Sequence, residues 1–485
     1  MLVMGIDLGT SGVRALVCDA RGEVVASASE KLALAEVPGL PPAWHEQDAV
    51  HWWAAAQTAI RAAIQQLNAR AVPAEAIQAL SITSTSGTIV PLDAQNQPLR
   101  PALMYNDGRA VEEAETLNAL AGALRSRTGI AFQPAFALCK ILWCRQHEPD
   151  IFARTARWAH AGDTLIGHLT GDFAVSDFST ALKTGYDFVE LRYPDFFAQL
   201  DIPLETLPRI VAPGVVVGTV SAAAAALTGL STSTHVCAGM TDANTALLAS
   251  GAAVPGDWNS AIGTTIGIKG IAEALIRDEQ GRIYCHRHPE GWWLPGAASN
   301  AGGELLSEWF GSQDMALLDA QAEARGPAGC VIYPLPRTGE RFPFIAPAAQ
   351  RFEIGSAGDD IERYRACLEG VALVEKLCFD VFAAAGAPLG ERLYITGGAS
   401  RSAVWSQIRA DVLGRTLVRP RQPESAFGAA LLAASASLYG SVSEAGRAMV
   451  QSDRAFEPNA ALHAHYAEKA ERLSAACRER GYWGA

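Results

Sequence analysis

Short apolar runs broken by glycine-rich polar turns dominate the chain, and the first of them sets the pattern. Met4-Gly5-Ile6-Asp7-Leu8 leads into Gly9-Thr10-Ser11-Gly12, and Val13-Arg14-Ala15-Leu16-Val17-Cys18-Asp19 follows. Two apolar runs about such a turn predict a strand–turn–strand hairpin. The pattern returns half a chain later, where Trp258-Asn259-Ser260-Ala261-Ile262 precedes Gly263-Thr264-Thr265 and Ile266-Gly267-Ile268-Lys269. Each copy then crosses a polar turn, at 19–22 or 278–281, and resumes as a strand at 23–25 or 282–284. Copies this far apart predict two related domains rather than a solenoid, whose repeats are much shorter.

Three further blocks punctuate the pattern. An apolar run at 236–241 ends where Asp242 opens a helix of small residues. A strand at 393–396 runs into Gly397-Gly398-Ala399, and apolar residues at helical spacing fill 404–413. Residues 425–434 are almost all small or apolar and predict a closely packed core helix. Segments 203–218, 251–257 and 326–347, rich in Gly or Pro, are candidate linkers.

Composition narrows the function. A chain of 485 residues suffices for two or three domains with sizeable cores. Its longest apolar stretches, 222–227 and 429–436, fall well short of a bilayer-crossing segment. The first strand starts without a basic region or cleavage site, so no secretory signal is expected and a cytoplasmic location is. Nine cysteines without a Cys-x-x-Cys pair read as buried thiols. A net charge of −12 argues against broad nucleic-acid binding and leaves a nucleotide open as ligand. The expected partners are small molecules, with no nucleic acid and no membrane, for a monomer or homodimer.

The hairpin tips carry the chemistry. Backbone N–H groups and hydroxyls of Gly9, Thr10 and Ser11 can surround phosphate oxygens. Asp7, at the end of the first strand, is placed to hold a hydrated Mg²⁺. In register, Asp7 corresponds to Ala261, so the second copy has a phosphate loop and no acid, an asymmetry that suits a nucleotide. Asp242 has two readings. It is a good helix N-cap, or it takes a proton from an alcohol whose oxygen attacks a γ-phosphate. Gly397 and Gly398 either admit a ligand close to the backbone or make an ordinary strand-to-helix turn.

These segments occur in order with Trp44-His45-Glu46-Gln47-Asp48, Arg100-Pro101-Ala102, Tyr105-Asn106-Asp107-Gly108-Arg109-Ala110, Leu169-Thr170-Gly171 and Phe456-Glu457-Pro458. The ordered set resembles the FGGY family of carbohydrate kinases over nearly the whole chain. That resemblance implies an α/β fold of two duplicated ribonuclease H-like domains, of the actin/Hsp70/sugar kinase superfamily, with a cleft between them. Residues 1–245 would bind the sugar and carry the first phosphate loop, and residues 246–485 would bind the nucleotide. ATP and Mg²⁺ are the implied cofactors.

Carried over by the resemblance, Asp242 is the general base and also touches the sugar, and Asp7 supports the metal through water. Gly9, Thr10, Ser11, Thr264 and Thr265 hold phosphates, and Gly302, Gly398 and Ala399 line the nucleotide site. Ser402 stands where some relatives carry Asn on the adenine side. Ser86, Gly87 and Asp107 are the remaining sugar contacts, although Asp107 reads equally as an ion-pair partner of Arg109. Glycerol kinases place Arg-Glu at the 86–87 pair and xylulokinases Met-His. Thr85-Ser86-Gly87-Thr88 is more similar to the xylulokinase-like D-ribulose kinases. The expectation is therefore phosphorylation of a ketopentose such as D-ribulose. A xylulokinase or another polyol kinase is the alternative, and an actin- or Hsp70-like ATPase or a sugar-sensing protein is the rival of a different class.

Overall fold

β1 (Leu2–Leu8) is buried along almost its whole length, as a strand at the centre of a sheet covered on both faces must be. The computed structural model describes residues 1–32 and 37–483. In it the strand belongs to the first of two compact units, made of 1–249, 286–291 and 424–450. Its sheet runs β5-β6-β4-β1-β2-β3, with β2 Gly12–Asp19, β3 Val24–Lys31, β4 Ile77–Ser84, β5 Val216–Thr219 and β6 His235–Thr241. β1, β2 and β3 pair antiparallel, β4 lies parallel to β1, and β6 parallel to β4.

Three helices matter most to this unit. α1 (Val50–Asn68) buries Trp52, Ala56, Ala59, Ile60, Ala63, Ile64 and Leu67, the one-face spacing of an amphipathic helix. It packs on β2 and β3, and each large side chain buried there contributes about 1.5–3 kcal/mol. α2 (Ala161–Thr170) is locked at its start by a reciprocal cap between His160 and Asp163. α3 (Asp242–Ser250) opens directly from β6. A fourth, alanine-rich helix, Ser425–Ser437, lies against β1 and β4 in the same unit. The approach leaves no room for side chains: a Cβ on Gly5 would stand 1.8 Å from the Ala426 carbonyl oxygen. One on Gly428 would stand 1.9 Å from that of Thr245.

The second unit, 250–285, 292–423 and 451–485, repeats the plan. Six of the seven strands of its sheet run β9-β8-β7-β10-β11-β12, with β7 Trp258–Ile262, β8 Ile266–Gly270, β9 Trp293–Ser299, β10 Arg392–Thr396, β11 Thr416–Pro420 and β12 Ser452–Phe456. β7, β8 and β9 pair antiparallel, and β10 and β11 continue in parallel. The outermost strand is antiparallel in both sheets, β5 on β6 and β12 on β11. α4 (Asp360–Ala384) and α5 (Ala403–Leu413) cover this core. They are joined by a buried pair in which Arg409 donates to both carboxylate oxygens of Glu375 at 2.7 Å.

The expected duplication is present strand for strand. Asp7 stands one pair from the end of the first hairpin, where Leu8 meets Val13. Ala261 stands one pair from the end of the second, where Ile262 meets Ile266. The division of the chain departs from a single cut at 245/246, because 286–291 and 424–450 return to the first unit. The nine cysteines are all buried and free. Among the described residues no single helix is long and apolar enough to cross a membrane.

Candidate active site

Three parallel strands of the first unit end at one edge of the sheet. Leu8 pairs with Ser84 across β1 and β4, and Thr241 pairs with the same Ser84 across β6 and β4. Asp7, the turn 85–88 and Asp242 therefore meet there. Asp7 is held at about 6, above the usual carboxylate range, by burial and by the charge of Asp242. Arg14, directly opposite on β2, pulls the other way.

Buried hydroxyls fix the strand-to-helix junction that presents Asp242. The Thr241 N–H donates to Ser179 Oγ at 3.1 Å. Ser179 and Thr180 are themselves capped by the fully buried Asp177. Thr83 Oγ1 donates to the Met240 carbonyl and lies 2.9 Å from Thr245 Oγ1. Thr245 Oγ1, at 3.0 Å, and Ser425 Oγ, at 3.3 Å, both donate to the Asp242 carbonyl oxygen. The Asp242 side chain accepts from the Ala243 N–H at 2.7 Å and stays part-exposed. Backbone is thus rigid where the carboxylate must be aimed.

The glycine loop of β1–β2 closes with the Gly9 N–H donating to the Gly12 carbonyl at 2.9 Å. Gln47 holds the Thr10 carbonyl at 2.9 Å, and Ser11 is exposed at the tip. Beside it opens a cavity of about 250 Å³ lined by Thr10, Trp44, His45, Gln47, Met104 and Asn106 among others. On the strand turn, Ser86 is part-exposed and Gly87 is buried with φ +96°. Their carbonyls accept from two lysines, Ser86 from Lys183 at 2.9 Å and Gly87 from Lys140 at 2.8 Å.

Asp107 does not join this group as a ligand. It is fully buried, and its two oxygens accept from the His45 and Arg109 N–H groups and twice from the Arg109 guanidinium. Four bonds fill a carboxylate's acceptor capacity. Arg109 in turn lies over Trp44 at 3.9 Å and pairs with Glu46 at 2.7 Å. The ion-pair reading of Asp107 is the one the geometry supports.

In the second unit Gly263, Thr264 and Thr265 form the tip between β7 and β8, with Thr264 exposed. Gly302 braces this loop, because a Cβ there would stand 2.4 Å from the Thr264 carbonyl oxygen. The Gly303 N–H completes the brace by donating to the Gly263 carbonyl at 2.8 Å. Ala261 pairs with Thr396 across β7 and β10, so Gly398 and Ala399 emerge at the same edge as the loop. Gly398 is exposed with open space on its side-chain face, while Ala399 is buried. Ser402 is engaged elsewhere: it caps α5 through the Trp405 N–H at 3.0 Å and donates to Asp319 at 2.6 Å. Helix capping explains that serine without an adenine.

Sequence reasoning passed over Arg14, Lys140 and Lys183. The lysines carry a signal, each being a lone charge inside an apolar run, Ala137-Leu138-Cys139-Lys140-Ile141-Leu142 and Ala181-Leu182-Lys183. Burial lowers the ordinary value of both, Lys140 to about 7, and the negative charge of Asp242 works against it at Lys183.

Residues 2–249 match the FGGY family of carbohydrate kinases, N-terminal domain, and residues 259–437 match its C-terminal domain. A xylulose kinase of Escherichia coli is 30% identical over 86% of each chain. An autoinducer-2 kinase of Salmonella choleraesuis is 27% identical over 99% of this chain and 94% of its own. Among solved structures, a xylulose kinase from Rhodospirillum rubrum aligns with a TM-score of 0.87 at 29% identity, covering 99% of both chains.

Proposed function

Because the chain belongs to the FGGY family of carbohydrate kinases, and is thus a sugar phosphotransferase, we propose that it phosphorylates a ketopentose at a terminal hydroxyl from ATP, D-ribulose being preferred. The observation that carries this reading is the placement of Asp242, level with Asp7 at one strand edge and on a junction pinned by buried hydroxyls. The Asp242 carboxylate orients the sugar hydroxyl and accepts its proton as the oxygen attacks phosphorus. N–H groups and hydroxyls of Gly9, Thr10 and Ser11 bind phosphate oxygens on the first unit. Thr264, Thr265 and the open backbone of Gly398 do so on the second.

Asp7, whose proton affinity is raised by burial and by the charge of Asp242, offers with that neighbour a donor set suited to a cation. No cluster of three His, Cys, Asp or Glu side chains exists among the described residues. Magnesium at Asp7 would therefore keep mostly water and phosphate ligands, its usual habit, and would neutralise phosphate charge.

D-ribulose is favoured by the small Ser86-Gly87 pair. D-xylulose is the second reading, favoured by the names of the Escherichia coli and Rhodospirillum rubrum relatives. The test is sugar-dependent ADP release across D-ribulose, D-xylulose, L-ribulose, glycerol, ribitol and gluconate, with the wild type and Asp242→Asn. D-ribulose should give the highest kcat/KM, and Asp242→Asn should lose roughly 10²–10⁴-fold while unfolding at the wild-type temperature. A D-xylulose preference selects the second reading, and full turnover by the folded variant removes Asp242 from its role.

A further inference from the structure

The room left by the small Ser86-Gly87 pair is taken by a side chain from 97 residues further along. Lys183 sits in the short helical turn Leu182–Thr184 and donates from Nζ to the Ser86 carbonyl at 2.9 Å. A Cβ on Gly87 would stand 2.8 Å from Lys183 Cδ, 3.5 Å from its Nζ and 3.0 Å from the Ala135 carbonyl oxygen. The lysine stem therefore lies along Gly87, and a side chain at 87 would displace it.

The turn that carries Lys183 is itself fixed. Thr184 is held by His160 Nε2 at 2.6 Å, and Asp163 holds the other ring nitrogen at 2.7 Å, all of them buried. An ammonium has three donors. Among the described residues that of Lys183 makes one hydrogen bond, to Ser86, which leaves two for a ligand. Its other near neighbours are the Phe136 ring, 5.7 Å from Nζ, and the charges of Asp242 and Lys140.

Resting on the kinase reading above, we propose that Lys183 is the specificity-determining residue of the acceptor site. It donates to an oxygen of the bound sugar within reach of Asp242, doing the work that a large 86–87 pair does in other family members. A charged donor pre-set in this way rejects acceptors that lack the matching oxygen far better than an apolar wall does.

The experiment measures kcat/KM over the same sugar panel for wild type, Lys183→Met, Gly87→Ala and the double variant, with thermal unfolding of each. Lys183→Met should fold and lose about 10- to 150-fold on the preferred sugar, the range for one hydrogen bond from a charged donor. The loss should fall mainly on sugar KM, and the spread of preferences across the panel should narrow. Gly87→Ala should also lose activity, and its cost should shrink in the Lys183→Met background, because the displaced group is gone. If Lys183→Met unfolds, Lys183→Gln, which keeps a donor on a shorter stem, should fold and show an intermediate loss. Unchanged sugar KM and unchanged ranking in a folded Lys183 variant overturn the proposal, as do Gly87 and Lys183 losses that simply multiply. Wild type inactive on every sugar defeats the kinase reading itself and this proposal with it, and the wild-type row alone reveals that case.

Discussion

Asp107 and Arg109 form a pair whose side chains are both fully buried, with Glu46 as the second carboxylate on Arg109, and removing one charge from such a buried network is costly. Asp107→Asn should therefore lower the unfolding free energy by about 3–5 kcal/mol in the absence of any ligand. Urea denaturation of the sugar-free protein checks this. Unchanged stability with a raised sugar KM would return Asp107 to the acceptor site. Lys140 makes a different prediction. It is fully buried, donates to the Gly87 and Met104 carbonyls, and is lowered by burial from about 10.5 to about 7. Between those values the unfolded chain binds the extra proton, so stability rises with pH in that window and is lost as pH falls through about 7. Relative to Lys140→Met, the wild type should gain about 1 kcal/mol per pH unit between pH 7 and 9. Denaturant curves for both proteins at pH 7, 8 and 9 give the slope, and parallel curves would contradict it. Residue type alone cannot tell how acceptor capacity is used. That is why Asp107 read as a sugar ligand as easily as an ion pair, and why Ser402, a helix cap, read as an adenine contact.

Hairpins were legible because alternation and turn chemistry are local: two short runs around Gly-Thr-Ser or Gly-Thr-Thr suffice. The partner of a core helix is not local. Helix Ser425–Ser437 announces burial through its small residues, and nothing in its own spacing says that it packs on β1 and β4, more than 340 residues back in sequence. Gly5 is the price of that packing. A methyl there would press on the Ala426 carbonyl oxygen at 1.8 Å and on the Ala430 nitrogen at 2.6 Å, both backbone atoms of the helix. Gly5→Ala should cost about 3 kcal/mol, as overpacking of a filled core does. Because the same helix holds the Asp242 carbonyl through Ser425, kcat should drop as well. Chemical denaturation with a turnover assay on the same preparation checks both, and native stability in Gly5→Ala would show that helix and strand can part without cost.

At the scale of the chain, duplication is the feature that sequence and structure share most fully. Six strands of each sheet share one order and one set of pairing senses and carry the same hairpin, and Asp7 and Ala261 occupy equivalent places in them. What the repeat conceals is the late return of 424–450 to the first unit. Protein synthesis proceeds from the N-terminus, and domains as a rule fold in that order as they leave the ribosome. Here the first unit cannot complete itself in turn. The apolar surface of β1 and β4 that helix Ser425–Ser437 covers stays bare until that helix has emerged, after segments 250–285 and 292–423 of the second unit. The unit that carries Asp242 is thus begun before the second unit and completed only after most of that second unit has been made.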